Sequence, residues 1–170
     1  MNKCSKYFSY EDIYQCGDTW LQNKELISNI PKENATYEGI KKLCENILDP
    51  IYENFGQIIL TYGFASLELT KKIKGRIYPI TDQHAGFEKM NNGEFICKRL
   101  GQAVDFKITN VSSLKIGHWI IENQLPFDRI YFYGSEKPLH ISYGPENKKQ
   151  IILMKEYKKN KRVPQVIKSL

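Results

Sequence analysis

The clearest hydrophobic pattern is an apolar stripe in the first third of the chain. It is formed by five residues at intervals of three or four: Ile40, Leu43, Ile47, Ile51 and Phe55. This spacing predicts an amphipathic helix that begins near Thr36. Pro50 is expected to kink this helix or to start a second one, because it lacks an amide hydrogen, and Gly56 is a natural stop.

A second helix is predicted before this stripe. Ser9 and Asp12 have the spacing of a capping box, in which the hydroxyl and the carboxylate satisfy the first amides of a helix. We expect that helix to run to about Gln22. Residues 27–34 are then predicted to form a loop, with Pro31 as the breaker.

Shorter apolar runs follow, and most of them predict strands. We expect strands at residues 58–64, 103–108, 129–133, 139–143 and 150–154. Short helices are predicted at Leu67 to Lys74, capped by Ser66, and from Ser112 or Ser113 to about Asn123. The stretch from Ile77 to Gly93 shows no regular pattern. The sequence thus predicts an α+β domain at residues 1–154, with N-terminal helices packed on a small, mainly antiparallel sheet.

Charge changes the picture only at the C-terminus. The chain has 170 residues and a formal charge of +6, of which residues 155–170 carry +5. Those residues are predicted to be a basic tail, either solvated and partly disordered or in contact with nucleic acid or another anionic surface. Truncation after Met154 is therefore expected to leave the fold intact.

Other compositional features exclude some classes of protein. No apolar run approaches the roughly 20 residues that cross a bilayer, and no signal peptide is apparent, so a cytoplasmic protein is expected. The four cysteines form no Cys-x-x-Cys pair, which argues against a zinc ribbon or a dithiol redox site.

Three residues from separate segments are candidate metal ligands. His84 lies in an irregular stretch, Asp105 in a predicted strand and His140 in a later strand. A catalytic zinc site needs three such ligands and one open position. His84, Asp105 and His140 could supply the three, although the residue types alone are weak support for a zinc site.

Four segments resemble a known family in the same order along the chain. They are residues 60–66 (LTYGFAS), 101–105 (GQAVD), 127–131 (FDRIY) and 139–143 (LHISY). Together they are similar to the M15-type zinc peptidases, which include D-alanyl-D-alanine carboxypeptidases and phage endolysins. The resemblance spans about residues 36–154 and implies a hedgehog-like metal fold, a zinc cofactor and a peptide or other amide substrate.

The chain departs from the family at the first ligand. The family places a histidine seven residues before the aspartate, where this chain has Lys98. A protonated lysine is not a ligand. His84 takes that role if an insertion of roughly fourteen residues, containing Asn91, Asn92 and Gly93, has displaced it. If Lys98 truly replaces the histidine, the site is lost.

Two supporting groups also differ from the family. Ala65 stands where the family has an arginine that stabilises the developing oxyanion, and Arg76 or Arg99 could replace it from nearby. Lys137 lies three residues before His140, so Glu136, four residues before it, is the candidate catalytic base.

Two functions follow from the resemblance. One is a zinc-dependent hydrolase that cleaves an amide bond with metal-activated water. The other is a catalytically impaired metal-binding domain that serves as a binding or regulatory module. His118, within the last predicted helix, is interpreted as a surface or packing residue and not as a ligand.

Overall fold

The computed structural model describes residues 2–73, 81–158, 161–168 and 170. Its α-helices are α1 (Tyr10–Tyr14), α2 (Asp18–Asn23), α3 (Asn34–Leu43), α4 (Asp49–Phe55), α5 (Leu67–Lys72) and α6 (Ser113–Glu122). Its strands are β1 (Ile58–Tyr62), β2 (Gln102–Ile108), β3 (Arg129–Phe132), β4 (Leu139–Tyr143), β5 (Gln150–Lys158) and β6 (Lys161–Ile167). No helix in these ranges is long and apolar enough to cross a bilayer.

The strands form one sheet of order β1-β2-β4-β3-β5-β6. Neighbouring strands are antiparallel except for β3 and β5, which are parallel. The predicted α+β class, with helices and a mostly antiparallel sheet, is confirmed. The sheet has one more strand than the sequence predicted, because β6 lies in the stretch interpreted as a tail.

The main core lies between one face of the sheet and the helices. Alternate strand residues such as Phe106, Ile130 and Ile141 point to this face, since successive side chains of a strand alternate. They pack in one cluster with the predicted helical stripe, including the fully buried Ile40 and Ile47. The opposite face therefore remains available for polar residues of β2, β3 and β4.

The first predicted helix is in fact two helices. The capping box of Ser9 and Asp12 is present at the start of α1. Gly17, with φ of 91°, then interrupts the helical path before α2. A Cβ atom at Gly17 would lie 2.8 Å from the Thr61 carbonyl oxygen, so the break also allows a close approach to β1.

The long predicted helix is continuous but irregular. A π-helical turn at residues Cys44–Leu48 joins α3 to α4, and Pro50 lies in the first turn of α4, where a missing amide costs least. The π-helical turn lies where the sequence predicted a kink, and the helical path continues through it into α4. Gly56, with φ of 86°, ends α4 as expected.

The C-terminal region differs most from the prediction. The domain boundary expected at Met154 falls inside β5, which continues to Lys158 and pairs with β6. Ile167 and Leu170 pack against the main core. The basic residues thus lie on and beside two paired strands, and the expectation of a partly disordered tail is wrong for the described residues.

Candidate metal centre

The sheet register brings two of the candidate ligands together. Asp105 of β2 lies directly opposite His140 of β4, and Tyr131 of β3 lies opposite His140 on its other side. These three side chains form a row on the face of the sheet away from the main core. The Nδ1 atom of His140 is 2.7 Å from Oδ1 of Asp105.

His84 reaches the same row from outside the sheet. It lies in a short 3-10 turn, Gln83–Ala85, and is 3 % exposed. Its Nε2 atom is 3.2 Å from Nδ1 of His140 and 3.3 Å from Oδ1 of Asp105. The structure therefore brings all three sequence-predicted ligands into one group.

The separations suit a tetrahedral ion. Nitrogen and oxygen ligands at about 2.0–2.1 Å from a tetrahedral zinc lie roughly 3.3–3.4 Å from one another. The two distances that involve His84 Nε2 have this length, and the His140 to Asp105 distance is shorter. A small movement of the two strand residues is enough to complete three positions around an ion.

The tautomer of His84 favours a cation at this point. Its Nδ1–H donates to the Gly63 carbonyl oxygen at 2.7 Å, so Nε2 of the neutral ring carries a lone pair. That lone pair faces the Asp105 carboxylate and the second imidazole. A cation at this point, either a metal ion or a proton shared with the carboxylate, removes the repulsion between these acceptors, and a carbonyl partner on the other nitrogen is typical of metal-binding histidines.

Gly63, whose carbonyl oxygen contacts His84, can lie against Ile13 only because it lacks a side chain. A Cβ atom at this position would lie 1.9 Å from the Ile13 carbonyl oxygen. Just after Gly63, the Phe64 amide donates to that Ile13 oxygen, and the Ala65 amide donates to the His84 carbonyl. The end of β1 is thereby held between α1 and the turn that carries His84.

Asp105 is charged at neutral pH despite its position. Burial by itself raises the pKa of Asp105, but His84 and His140 lower it more, so the net pKa lies below the ordinary value. The site therefore supplies one anionic oxygen and two imidazole nitrogens, a ligand set that zinc accepts.

The residues between His84 and Lys98 contain a small hairpin at the place where the sequence suggested an insertion. Lys89 and Phe95 pair as an antiparallel bridge, and Asn92 and Gly93 lie at the exposed tip. At the base, the Ile96 amide donates to the Glu88 carbonyl oxygen at 2.9 Å. Lys98 is exposed and lies outside the group of ligands.

A small cavity adjoins His140. Its lining includes Asp82, Arg99, Tyr131 and Tyr133. Nη1 of Arg99 donates to the Tyr131 hydroxyl at 2.8 Å, and the Tyr131 ring packs edge-on against His140. Arg99 is thus the sequence-predicted cation that the structure places beside the cluster.

Arg76 and Ala65 are the other two positions that the sequence raised for an oxyanion-stabilising arginine. Arg76 lies outside the described residues. Ala65 is 1 % exposed and packs in a small apolar cluster with Ile27 and Leu69. An arginine at this position would need a different local packing.

Glu136 is not part of the ligand group. It is exposed in the turn between β3 and β4, with Lys137 beside it, and lines a groove formed with Lys107, Ser113 and neighbouring residues. The cavity beside His140 is lined by other residues. The catalytic role of Glu136 stays a prediction. His118 is half-buried on α6, next to Trp119 and away from the cluster.

Sequence reasoning missed the groups that support the ligands. Gly63 and Tyr131 lay within segments selected for their resemblance, but neither was assigned a role at the metal. The alternation of β3 could have indicated Tyr131, because Arg129 and Tyr131 share a face. The contact of Gly63 with His84 joins residues 21 positions apart and has no local signal.

The side-chain geometry of the described residues indicates which chemistry this chain could perform. Two imidazoles and a carboxylate converge beside a cavity that is lined by the Arg99 guanidinium and the phenols of Tyr131 and Tyr133. The chain matches none of the protein-family models with which it was compared, and it matches no curated protein and no solved structure.

Proposed function

We propose that this protein is a zinc-dependent hydrolase that cleaves an amide bond. The observation that carries the proposal is the convergence of His84 Nε2, His140 Nδ1 and Asp105 Oδ1 within 3.3 Å of one another. Three protein ligands beside an accessible cavity are the arrangement of a catalytic zinc site, whereas structural sites usually have four.

Each part of the site has a role in this proposal. Zinc held by the three ligands supplies a Lewis acid that makes water nucleophilic at neutral pH and polarises a carbonyl. Arg99 donates a hydrogen bond to the Tyr131 hydroxyl and lines the cavity. Its positive charge would stabilise the negative charge that develops on the substrate oxygen. Glu136 is the proton carrier suggested by the sequence.

The substrate class comes from the resemblance described above. The D-alanyl-D-alanine carboxypeptidases and related endolysins suggest a peptide of the bacterial cell wall, and a hedgehog-like fold belongs to the same proposal. Two features of the structure support it. The hairpin between His84 and Asp105 would account for their spacing, and Arg99 would supply a cation in the cavity beside His140.

The ligand assignment is tested by replacing His140. His140→Ala removes one of three ligands, so we expect bound zinc in the purified protein to fall from about one equivalent to below a tenth, with a lower melting temperature. His118→Ala is the matched control, because it removes an imidazole that lies outside the cluster. Elemental analysis and thermal unfolding measure both effects. Equal zinc content in the two variants would remove His140 from the site.

Hydrolysis is tested on the same proteins. An acylated D-alanyl-D-alanine peptide should be cleaved by the zinc-loaded wild type, and the His140→Ala variant should be inactive. Release of D-alanine measures the reaction. Zinc binding without cleavage of this or other amide substrates would contradict the enzymatic proposal.

One observation favours a second candidate function. The exposed Glu136 and the buried Ala65 leave the cluster without the base and the arginine in their usual positions. A zinc-stabilised binding or regulatory domain needs neither group. In that case the positive charge on β5 and β6 would suit an anionic partner such as nucleic acid. Zinc-dependent stability without hydrolysis is the result that selects this alternative.

A further inference from the structure

The residue next to His84 is an unusual buried amide. Gln83 is 2 % exposed, yet both donors and both acceptor positions of its side chain have partners. Nε2 donates to the Leu100 carbonyl oxygen at 2.7 Å and to Asp128 Oδ2 at 2.8 Å. Oε1 accepts from the Ser142 hydroxyl at 2.9 Å and from Arg129 Nη1 at 3.3 Å.

Two of these partners, Ser142 and Arg129, lie on strands that adjoin the cluster, and Asp128 directly precedes β3. Ser142 lies on β4, two residues after His140 on the same face, and is paired in register with Arg129 of β3. Asp128 is fully buried, forms an ion pair with Arg129 and accepts from the Lys148 amide at 2.9 Å. Gln83 therefore fixes the turn that carries His84 directly to the strand that carries His140.

Two glycines provide the space for this amide. A Cβ atom at Gly101 would lie 3.0 Å from Gln83 Nε2, and one at Gly144 would lie 3.1 Å from it. Gly101 also has φ of 114°, a conformation that other residues rarely adopt. Both glycines lie at the same end of the β2 and β4 pairing, where Gln102 is opposite Tyr143, so the backbone at this end leaves room for the Gln83 side chain.

We propose that Gln83 is a positioning residue that sets the separation of His84 and His140 through its contacts with Ser142, Arg129 and Asp128. This inference rests on the proposed metal site. A buried side chain with four satisfied hydrogen bonds holds one orientation, because any rotation leaves buried polar groups without partners. His84 is the next residue in the same turn, so the backbone that carries its imidazole is held in place as well.

The first test is the zinc affinity of Gln83→Met. Methionine has similar length but forms none of the four hydrogen bonds, so zinc affinity should fall about 10-fold to 100-fold, the usual effect of losing a group that orients a ligand. Gln102→Met is the matched control. Gln102 is fully buried at the start of β2, and its side chain donates to the Ala103 carbonyl oxygen. Competition with a chromogenic chelator measures both affinities, and equal affinities would overturn the proposal.

A double substitution at positions 83 and 128 distinguishes a positioning role of Gln83 from a general loss of folding. Gln83→Glu places a second carboxylate against Asp128 and should weaken zinc binding at least as much as Gln83→Met. Adding Asp128→Asn restores a donor opposite the new carboxylate and should recover most of the affinity. A double variant as weak as Gln83→Glu alone would count against a direct coupling of these residues.

Two measurements keep the proposal testable if a variant folds poorly or if zinc does not bind. Ser142→Ala removes a single donor to Gln83 and should weaken zinc binding about threefold, as expected for one hydrogen bond. In metal-free protein, the Ala65 amide that donates to the His84 carbonyl should exchange its hydrogen at least tenfold faster in Gln83→Met than in Gln102→Met. Unchanged exchange would refute the positioning role. A wild type that binds no zinc would refute the proposed function alone.

Discussion

The carboxylate of Asp105 interacts with two imidazoles through the same oxygen atom. Both His84 Nε2 and His140 Nδ1 lie within 3.3 Å of Oδ1. Protons shared between the imidazoles and the carboxylate satisfy these atoms in the metal-free protein, since the His140 to Asp105 distance of 2.7 Å is that of a hydrogen bond. If zinc replaces those protons, as proposed, metal binding and the local fold are expected to depend on each other.

Glu136 offers a sharp test at this scale. Because its side chain is exposed and outside the cluster, Glu136→Gln should leave zinc content unchanged and the melting temperature within about 2 °C, as for most surface substitutions. If Glu136 carries the proton, hydrolysis falls about 10² to 10⁴-fold.

Glu122→Gln is a suitable control for Glu136→Gln, since Glu122 is exposed at the end of α6. Peptide cleavage at saturating substrate is the measurement. Full activity of Glu136→Gln would exclude Glu136 and direct attention to the groups that line the cavity beside His140.

At the scale of elements, one carboxylate joins the His84 segment to the helical layer. Glu88 is 6 % exposed and accepts from the Lys32 and Glu33 amides, each at 3.1 Å, and from the Thr36 hydroxyl at 2.8 Å. These groups lie at the start of α3. An anion here is favourable because the first amides of a helix lack partners and the helix dipole is positive at this end.

Glu88→Ala should therefore destabilise the protein by about 2 kcal/mol, because two amides and a hydroxyl lose a buried acceptor. Urea unfolding measures the change. Glu94→Ala removes a carboxylate from the exposed hairpin only six residues later and should change stability by less than about 0.5 kcal/mol. Similar losses in the two variants would show that the contact of Glu88 with α3 contributes little.

Sequence predicted the elements well where a local pattern existed. The stripe from Ile40 to Phe55, the caps at Ser9, Ser66 and Ser112, and the first five strands all appear, because periodicity and capping are properties of neighbouring residues. The break at Gly17 was missed since it depends on contact with Thr61. The three ligands could be proposed, but the contact of His84 with Gly63 and that of Gln83 with Ser142 depend on tertiary structure.

At the scale of the whole molecule, β5 and β6 complete one side of the sheet. The sequence missed β6 because the basic composition of residues 155–170 and the proline at position 164 were interpreted as a tail. β6 is an edge strand, where a missing amide is tolerated, and Pro164 pairs with Met154 of β5. Val163 and Val166 are exposed, whereas Ile167 packs on the core.

Truncation after Met154 should therefore be costly, contrary to the prediction from the sequence. It removes β6, half of β5 and the apolar contacts of Ile167 and Leu170, and we expect a loss of about 4 kcal/mol at about 1.5–3 kcal/mol for each buried apolar side chain. Such a loss approaches the whole net stability of an ordinary domain. Urea unfolding of the truncated and full-length chains measures it.

The control for this truncation keeps both strands and changes only charge. Lys155→Gln with Lys168→Gln removes two exposed cations and should leave stability within about 0.5 kcal/mol. A truncated chain as stable as this control would mean that the last strand contributes nothing to the fold.

The hairpin between Lys89 and Phe95 has a consequence for how related chains can vary. Its two ends are joined by hydrogen bonds at Glu88 and Ile96, so its length can change while His84 and Asp105 keep their positions. The number of residues between these two candidate ligands can thus change without moving either of them. A motif with fixed spacing would miss a chain with a longer or shorter hairpin, whereas a three-dimensional template of the three ligand atoms, with Gly63 and Gln83 behind them, would detect it.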